Sequence, residues 1–191
     1  PYAYSEGLAL HAGVDPAPQD LSKIPFLDVD DEARTISFVP GKWILEKDLM
    51  IPVGYTVKAV APLRLDLQKG ARIISHSPMT WSGMEGSKIV IGSSDGSGGG
   101  VVLIGTGGPS LFRYTRFEGF GPSLDDKAAF IAQNADVEFT GCDLGEVRTR
   151  DVLLIVRSKV RMSACSITGG KDQLTLAYCA TQLTGLDLMG A

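Results

Sequence analysis

Three stretches late in the chain carry one pattern: ADVEFTGCDLGE at residues 135–146, SKVRMSACSITG at 158–169 and CATQLTGLDLMG at 179–190. In each stretch apolar side chains alternate with polar ones, then a glycine or alanine comes, then more apolar positions. Alternation with a period of two is typical of a strand that buries one face. Repetition at steps of 23 and 21 residues indicates a solenoid, in which each coil buries its apolar face together with the next.

The same spacing continues toward the N-terminus in two columns of positions. The first column is Trp43, Leu65, Ile89, Phe112, Val137, Val160 and Thr181, and the second, two residues later, is Leu45, Leu67, Ile91, Tyr114, Phe139, Met162 and Leu183. The first column advances by 22, 24, 23, 25, 23 and 21 residues. A further strand is expected to begin seven residues before each of the last three positions, at Phe130, Leu153 and Leu174.

These columns predict an all-β fold, a parallel β-helix with one chain wound into about seven coils. We expect a right-handed helix, because parallel crossovers almost always have that hand. The leucine-rich repeat has a similar period, but its Leu-x-x-Leu-x-Leu-x-x-Asn signature is missing from the sequence. Residues 1–35 do not join the repeat and are predicted to form an N-terminal cap segment, with a helical turn at residues 5–12. Residues 36–191 are predicted to form the β-helix.

Composition excludes some classes of function. The chain has 191 residues, a formal net charge of −4 and no basic stripe, so we expect no nucleic-acid partner. No run of about 20 apolar residues occurs, so no membrane span is expected. Of the three cysteines, Cys142 and Cys165 occupy one column in successive coils and are predicted to be stacked, buried thiols. No metal site or cofactor is predicted, since no Cys-x-x-Cys motif occurs.

Five short motifs follow one another in a recognisable order. They are PGKW at 40–43, IPVGY at 51–55, ISHSP at 74–78, SSDG at 93–96 and VRS at 156–158. Together, over about residues 20–170, they resemble the right-handed β-helix region associated with bacterial spore-coat protein H-like (CotH-like) proteins. The resemblance implies an extracellular or periplasmic β-helix associated with carbohydrate or the cell envelope. It carries over no catalytic residue, and the kinase motifs are missing from the sequence.

The later coils of that family read Asp-x-apolar-Asn/Asp. Asp151 and Asp172 match the first acid, whereas Leu154 and Thr175 replace the second polar residue. Asp151 and Asp172 are also the candidate acid cluster of an enzyme, because residues one coil apart stack about 4.8 Å from each other and glycoside hydrolysis needs paired carboxyl groups.

Two further side chains are candidates for binding a ligand. Arg157 is a cation that could pair with a uronate, and Trp81 is the aromatic side chain most expected to be exposed for a sugar ring. Both residues also have a purely structural interpretation. Arg157 would then be a charged residue at a turn, and Trp81 would cover the side of a coil.

The sequence thus predicts a non-catalytic module, structural or carbohydrate-binding, whose partner is a polysaccharide or another polymer of the cell envelope. The alternative is a polysaccharide lyase or glycoside hydrolase that uses carboxylates on one face of the β-helix. A third hypothesis is self-association through the C-terminal coil. Leu183, Leu186 and Leu188 would be uncovered there, so we expect a neighbouring chain to cover them or the natural protein to continue past Ala191 with further coils.

Overall fold

Short strands of the chain stack along three sides of a solenoid, with one strand per side in each coil. The computed structural model describes residues 19–121 and 128–189, so the helical turn expected at residues 5–12 lies outside the described residues. A 3₁₀ turn at Leu21–Lys23 comes first, and strand β1 (Leu27–Asp30) follows it.

Side one is built from β2 (Thr35–Phe38), β5 (Thr56–Val60), β8 (Met79–Ser82), β11 (Ser110–Arg113) and β14 (Val137–Thr140). Side two is built from β3 (Gly41–Leu45), β6 (Leu63–Leu67), β9 (Ile89–Gly92), β12 (Thr115–Glu118) and β15 (Asp143–Val147). Side three is built from β4 (Leu49–Ile51), β7 (Arg72–Ser75), β10 (Gly100–Ile104), β13 (Ala128–Gln133), β16 (Asp151–Val156) and β18 (Asp172–Ala177). The long strands β17 (Lys159–Gly169) and β19 (Ala180–Met189) run along sides one and two without a break.

Neighbouring strands on each side pair in parallel, as in β14 with β17 and β13 with β16. Among the paired strands described, only β1 and β2 are antiparallel. The chain completes six coils, and β19 adds two sides of a seventh. The predicted parallel β-helix is therefore confirmed. No helix within residues 19–121 and 128–189 has the length and apolar character needed to cross a bilayer.

The predicted columns are right between the first two coils, where Trp43 pairs with Leu65 and Leu45 with Leu67, and in the last three coils, but they are wrong between these regions. Val137 pairs with Val160 and Val160 with Thr181, as the spacing indicated. The true side-two column is Trp43, Leu65, Ile91, Phe117, Leu144, Ile167 and Leu188, with steps of 22, 26, 26, 27, 23 and 21 residues. Phe112 instead lies on side one, opposite Trp81 and Phe139. The prediction switched sides because longer corners, such as the bend at residues 93–99, lengthen some coils.

The interior is a single apolar core with an aromatic stack near its middle. Phe112 lies 5.2 Å from Phe139 and 5.4 Å from Trp81 between ring centroids, and Phe130 lies 5.1 Å from Phe139. These rings come from sides one and three, so they bind the sides together across the core. Packed rings of this kind contribute about 0.5–1.5 kcal/mol a pair beyond their buried area.

The cysteines behave as predicted. All three are free thiols, and both Cys142 and Cys165 are buried. A hydrogen bond with the Cys165 thiol and burial both raise the pKa of the Cys142 thiol. Cys179 is half-buried and donates from its sulfur to the carbonyl oxygens of Ile155 and Ala177.

Candidate functional site

Positive side chains converge at the corner where the chain passes from side two to side three in the last two complete coils. One corner connects β15 to β16, and the next connects β17 to β18. Together they line a shallow depression of about 600 Å³, to which Arg148, Arg150 and Lys171 contribute the charged side chains. We call these three residues the basic corner.

The backbone holds the two connections of the basic corner together. The amide groups of Lys171 and Asp172 both donate to the carbonyl oxygen of Arg150, at 2.7 and 2.9 Å. Gly170, at a φ of 69°, completes the floor, and a Cβ atom there would lie 2.9 Å from a methyl group of Val152. A larger residue would therefore both strain the backbone and push into the core.

The charges of the basic corner are only weakly balanced. Arg150 Nε lies 3.7 Å from Asp172 Oδ2, a loose ion pair between exposed side chains. Arg148 and Lys171 are exposed and form no ion pair with any residue in the described part of the chain. Unopposed cations around a concave surface attract anions. The sequence analysis did not find this corner, because Lys171 joins the two arginines only where the two corners are neighbours in register.

The candidate acids lie beside the basic corner, on adjacent strands. Asp151 and Asp172 are register partners on β16 and β18. Thr175 donates from its hydroxyl to Asp151 Oδ1 at 3.2 Å. Burial and, more weakly, the charge of Asp172 raise the pKa of Asp151, while Thr175 and Arg150 oppose the rise. A carboxyl group with a raised pKa beside a second carboxyl group is the usual arrangement of a general acid and its partner.

The burial of Asp151 argues against a catalytic role for this acid pair, because a substrate could not reach its carboxyl group. Asp151 is only 6% exposed, although Asp172 is open to solvent. Leu154, on the same strand as Asp151, belongs to an apolar cluster with Val102, Ile131 and Val156 that is separate from the main core. The second position of the pattern is thus an apolar contact at Leu154, whereas Thr175 at the same position one coil later keeps a hydroxyl group that bonds to Asp151.

The expected exposure of Trp81 is wrong. Its indole is completely buried among the core aromatics, because alternation along β8 turns both Met79 and Trp81 inward. Its Nε1 atom has no hydrogen-bond partner, which is unusual for a buried indole. Trp81 therefore belongs to the core and offers no surface to a ligand.

Arg157 lies away from the basic corner, at the opposite end of β16. Its side chain is exposed, and its backbone has a φ of 52°. The structure thus brings Asp151, Asp172 and Arg150 together and leaves Arg157 in a separate place on the same side of the solenoid.

A second charged cluster lies on side two, and its members form ion pairs with one another. Asp143 accepts hydrogen bonds from Lys88 at 2.7 Å and from Arg116 at 3.1 Å. Burial alone would raise the pKa of Asp143, but these cations hold it below its ordinary value. Arg116 and Arg64 also pair with Glu118. All five side chains have an ion-pair partner inside the cluster, so this cluster stabilises the stack of coils.

Within residues 19–121 and 128–189, no three His, Cys, Asp or Glu side chains are grouped so that they could hold a metal ion. Comparison of the chain with models of protein families, with curated proteins and with solved structures found no match.

Proposed function

We propose that this chain is a non-catalytic β-helix module that binds an anionic carbohydrate polymer. The observation that carries the proposal is the basic corner, where two exposed cations have no acidic partner among the described residues and the third is held loosely. The depression is shallow and open, which suits a segment of an extended polymer better than an enclosed small molecule. The resemblance to the CotH-like β-helix region supports a place in the bacterial envelope or outside the cell.

The test is binding of polygalacturonate, compared with neutral dextran, by calorimetry at several salt concentrations. We expect the double variant Arg148→Ala and Lys171→Ala to bind at least about a hundredfold more weakly, since each of the two charge-assisted contacts contributes about 1.5–3 kcal/mol. Its salt dependence should also be shallower.

The matched control removes two exposed cations from other sides, Lys42→Ala and Lys58→Ala, with the same change in net charge. Equal losses in both double variants would show that only overall charge matters. Failure of the unchanged protein to bind any acidic polymer would overturn the proposal.

An enzyme of polysaccharide cleavage is the second candidate. It is favoured by the raised pKa of Asp151 and its position one coil from Asp172. New reducing or unsaturated ends released from polygalacturonate, and lost in Asp151→Asn and Asp172→Asn, would establish it. We expect no such products, because the Asp151 carboxyl group is covered.

We also propose that chains associate through β19. This strand pairs only with β17 within the described chain, and Leu183 and Leu188 on it are exposed. An open strand edge with apolar side chains is a template for further pairing. Sedimentation over a range of concentrations should show reversible association, weakened by Leu183→Asp with Leu188→Asp. A monomer at all concentrations would contradict it.

A further inference from the structure

The strands of side three end at a corner where successive residues share an uncommon backbone conformation. The last four of these strands are each followed directly by a residue with positive φ. Gly105 follows β10, Asn134 follows β13, Arg157 follows β16 and Tyr178 follows β18, with φ values of 55°, 49°, 52° and 57°. The amide of Asn134 donates to the carbonyl oxygen of Val156, and that of Arg157 to Ala177. The three side-chain-bearing residues are therefore stacked one coil apart, about 4.8 Å from one another. We call them the left-handed corner.

Arginine and tyrosine are unfavourable choices for this conformation. A positive φ brings the Cβ atom too close to the carbonyl oxygen, at a cost of about 1–2 kcal/mol, which glycine avoids and asparagine tolerates better. Gly105 fills the equivalent place two coils before Arg157. The fold itself therefore does not require a long side chain here.

Arg34 and Lys69, two other large residues with positive φ, have partners within the chain. Arg34 stacks on the ring of Tyr55 at 4.2 Å, and Lys69 pairs with Glu46 at 2.9 Å. The side chains of Asn134, Arg157 and Tyr178, like that of the exposed Glu146, form no hydrogen bond, ion pair or ring contact with the described residues, but only these three are stacked in successive coils. Backbone strain that the structure does not use for packing points to use by a ligand.

Their exposure and chemistry define what such a ligand must offer. Tyr178 is 81% exposed, and it is the one aromatic residue among the large apolar side chains exposed in the described chain. Its ring offers a flat apolar face with a polar tip. Arg157, one coil below, presents the planar fork that matches a carboxylate, and Asn134 presents an amide that can both donate and accept.

We propose that the left-handed corner is a second saccharide site, which takes an acidic sugar unit with its ring on Tyr178 and its carboxylate on Arg157. This proposal rests on the proposed function, because it assumes that the ligand is an anionic carbohydrate polymer. It is distinct from the basic corner, since the six residues of β16 separate the two by about 20 Å.

Glycine substitution separates binding from folding, because glycine relieves the backbone strain while it removes the side chain. Arg157→Gly and Tyr178→Gly should unfold at an unchanged or higher temperature. Each should bind tetragalacturonate about tenfold more weakly by calorimetry, the loss of one charge-assisted or stacking contact. The fully methyl-esterified tetramer should bind the unchanged protein as weakly as Arg157→Gly binds the acid. The matched control is Ala164→Gly, an exposed residue with a φ of 51° at another corner, which should leave binding unchanged.

The outcomes separate this site from the basic corner. Tetragalacturonate binding that is lost in the Arg148 and Lys171 double variant but kept in both glycine variants would overturn the left-handed corner and leave the proposed function standing. Loss in the glycine variants with no effect of the double variant would confirm this site and remove the basic corner as the carrier of function. Equal binding of the acid and its ester would also overturn the role of Arg157.

Discussion

The two ends of the described solenoid differ in how completely the apolar core is covered. At the N-terminal end, β1 folds back antiparallel on β2, and Leu21, Phe26 and Leu27 are buried over the first coil. At the C-terminal end of the described chain, β19 has a neighbour on one side only. Met162 and Leu183 are register partners in one inward column, yet they are 1% and 41% exposed. Burial in this fold thus depends on having a next coil more than on the residue itself.

Removal of a core ring between the two ends should have the largest effect. Phe139→Ala is expected to lower the free energy of unfolding by about 3–5 kcal/mol, because Phe139 contacts the rings of Phe112 and Phe130 from within a fully packed interior. Denaturant unfolding followed by circular dichroism measures this. A loss below about 1 kcal/mol would show that the middle of the stack is no better packed than its open end.

A matched pair in one column sharpens the comparison. Met162→Ala should cost about 2–5 kcal/mol, and Leu183→Ala less than about 1 kcal/mol, because only the first leaves a cavity between two coils. Both variants are measured under the same denaturant conditions, at a concentration where the chain is monomeric. Equal costs would mean that the last coil is covered in solution.

The rates at which the three cysteines react with a thiol reagent should show the same difference between the buried middle and the open end. Cys142 and Cys165 are buried, whereas Cys179 is half-buried and lies closer to the open end. Under native conditions Cys179 should react with a thiol reagent much faster than the other two, and unfolding should release three thiols in all. Recovery of a single thiol after unfolding without reductant would reveal a bridge between Cys142 and Cys165.

The smallest expected effect is a pH dependence near the open end. Because the pKa of Asp151 is raised in the folded state, the folded protein holds this proton at pH values where the unfolded chain has released it. The resulting loss of stability sets in as the pH rises above the ordinary value of 3.8 and is complete above the folded pKa. Asp151→Asn should therefore be more stable than the unchanged protein at pH 7, with the difference vanishing near pH 3. A constant difference across that range would contradict the assignment.

The sequence predicted the fold through its most uniform part. The last three coils differ in length by only two residues, so Val137, Val160 and Thr181 could be aligned by counting. Counting failed where corners differ in length, which moved Phe112 to the wrong side. It also misjudged Trp81, because a single aromatic residue in a strand carries no signal of which way it faces.

The candidate sites were only partly predictable. Asp151 and Asp172 could be paired from spacing alone, since both lie in the regular coils. The place of Lys171 could be predicted only by knowing which corners are neighbours. The backbone strain at Arg157 and Tyr178 could not be predicted, because among the residue types mainly glycine indicates a positive φ. These features depend on the corners, where the periodic signal is weakest.

The one-sided pairing of β19 gives the molecule a preferred direction under mechanical load. If the described part of the solenoid is pulled from its two ends, the first coil is held by an antiparallel strand pair, while β19 pairs as a strand only with β17 in the described chain. Unravelling would begin at β19 and move backwards one coil at a time. Each step would release 21 to 27 residues of the side-two spacing, or about 70–95 Å of extended chain. A force trace should show a regular sawtooth whose first tooth is the weakest.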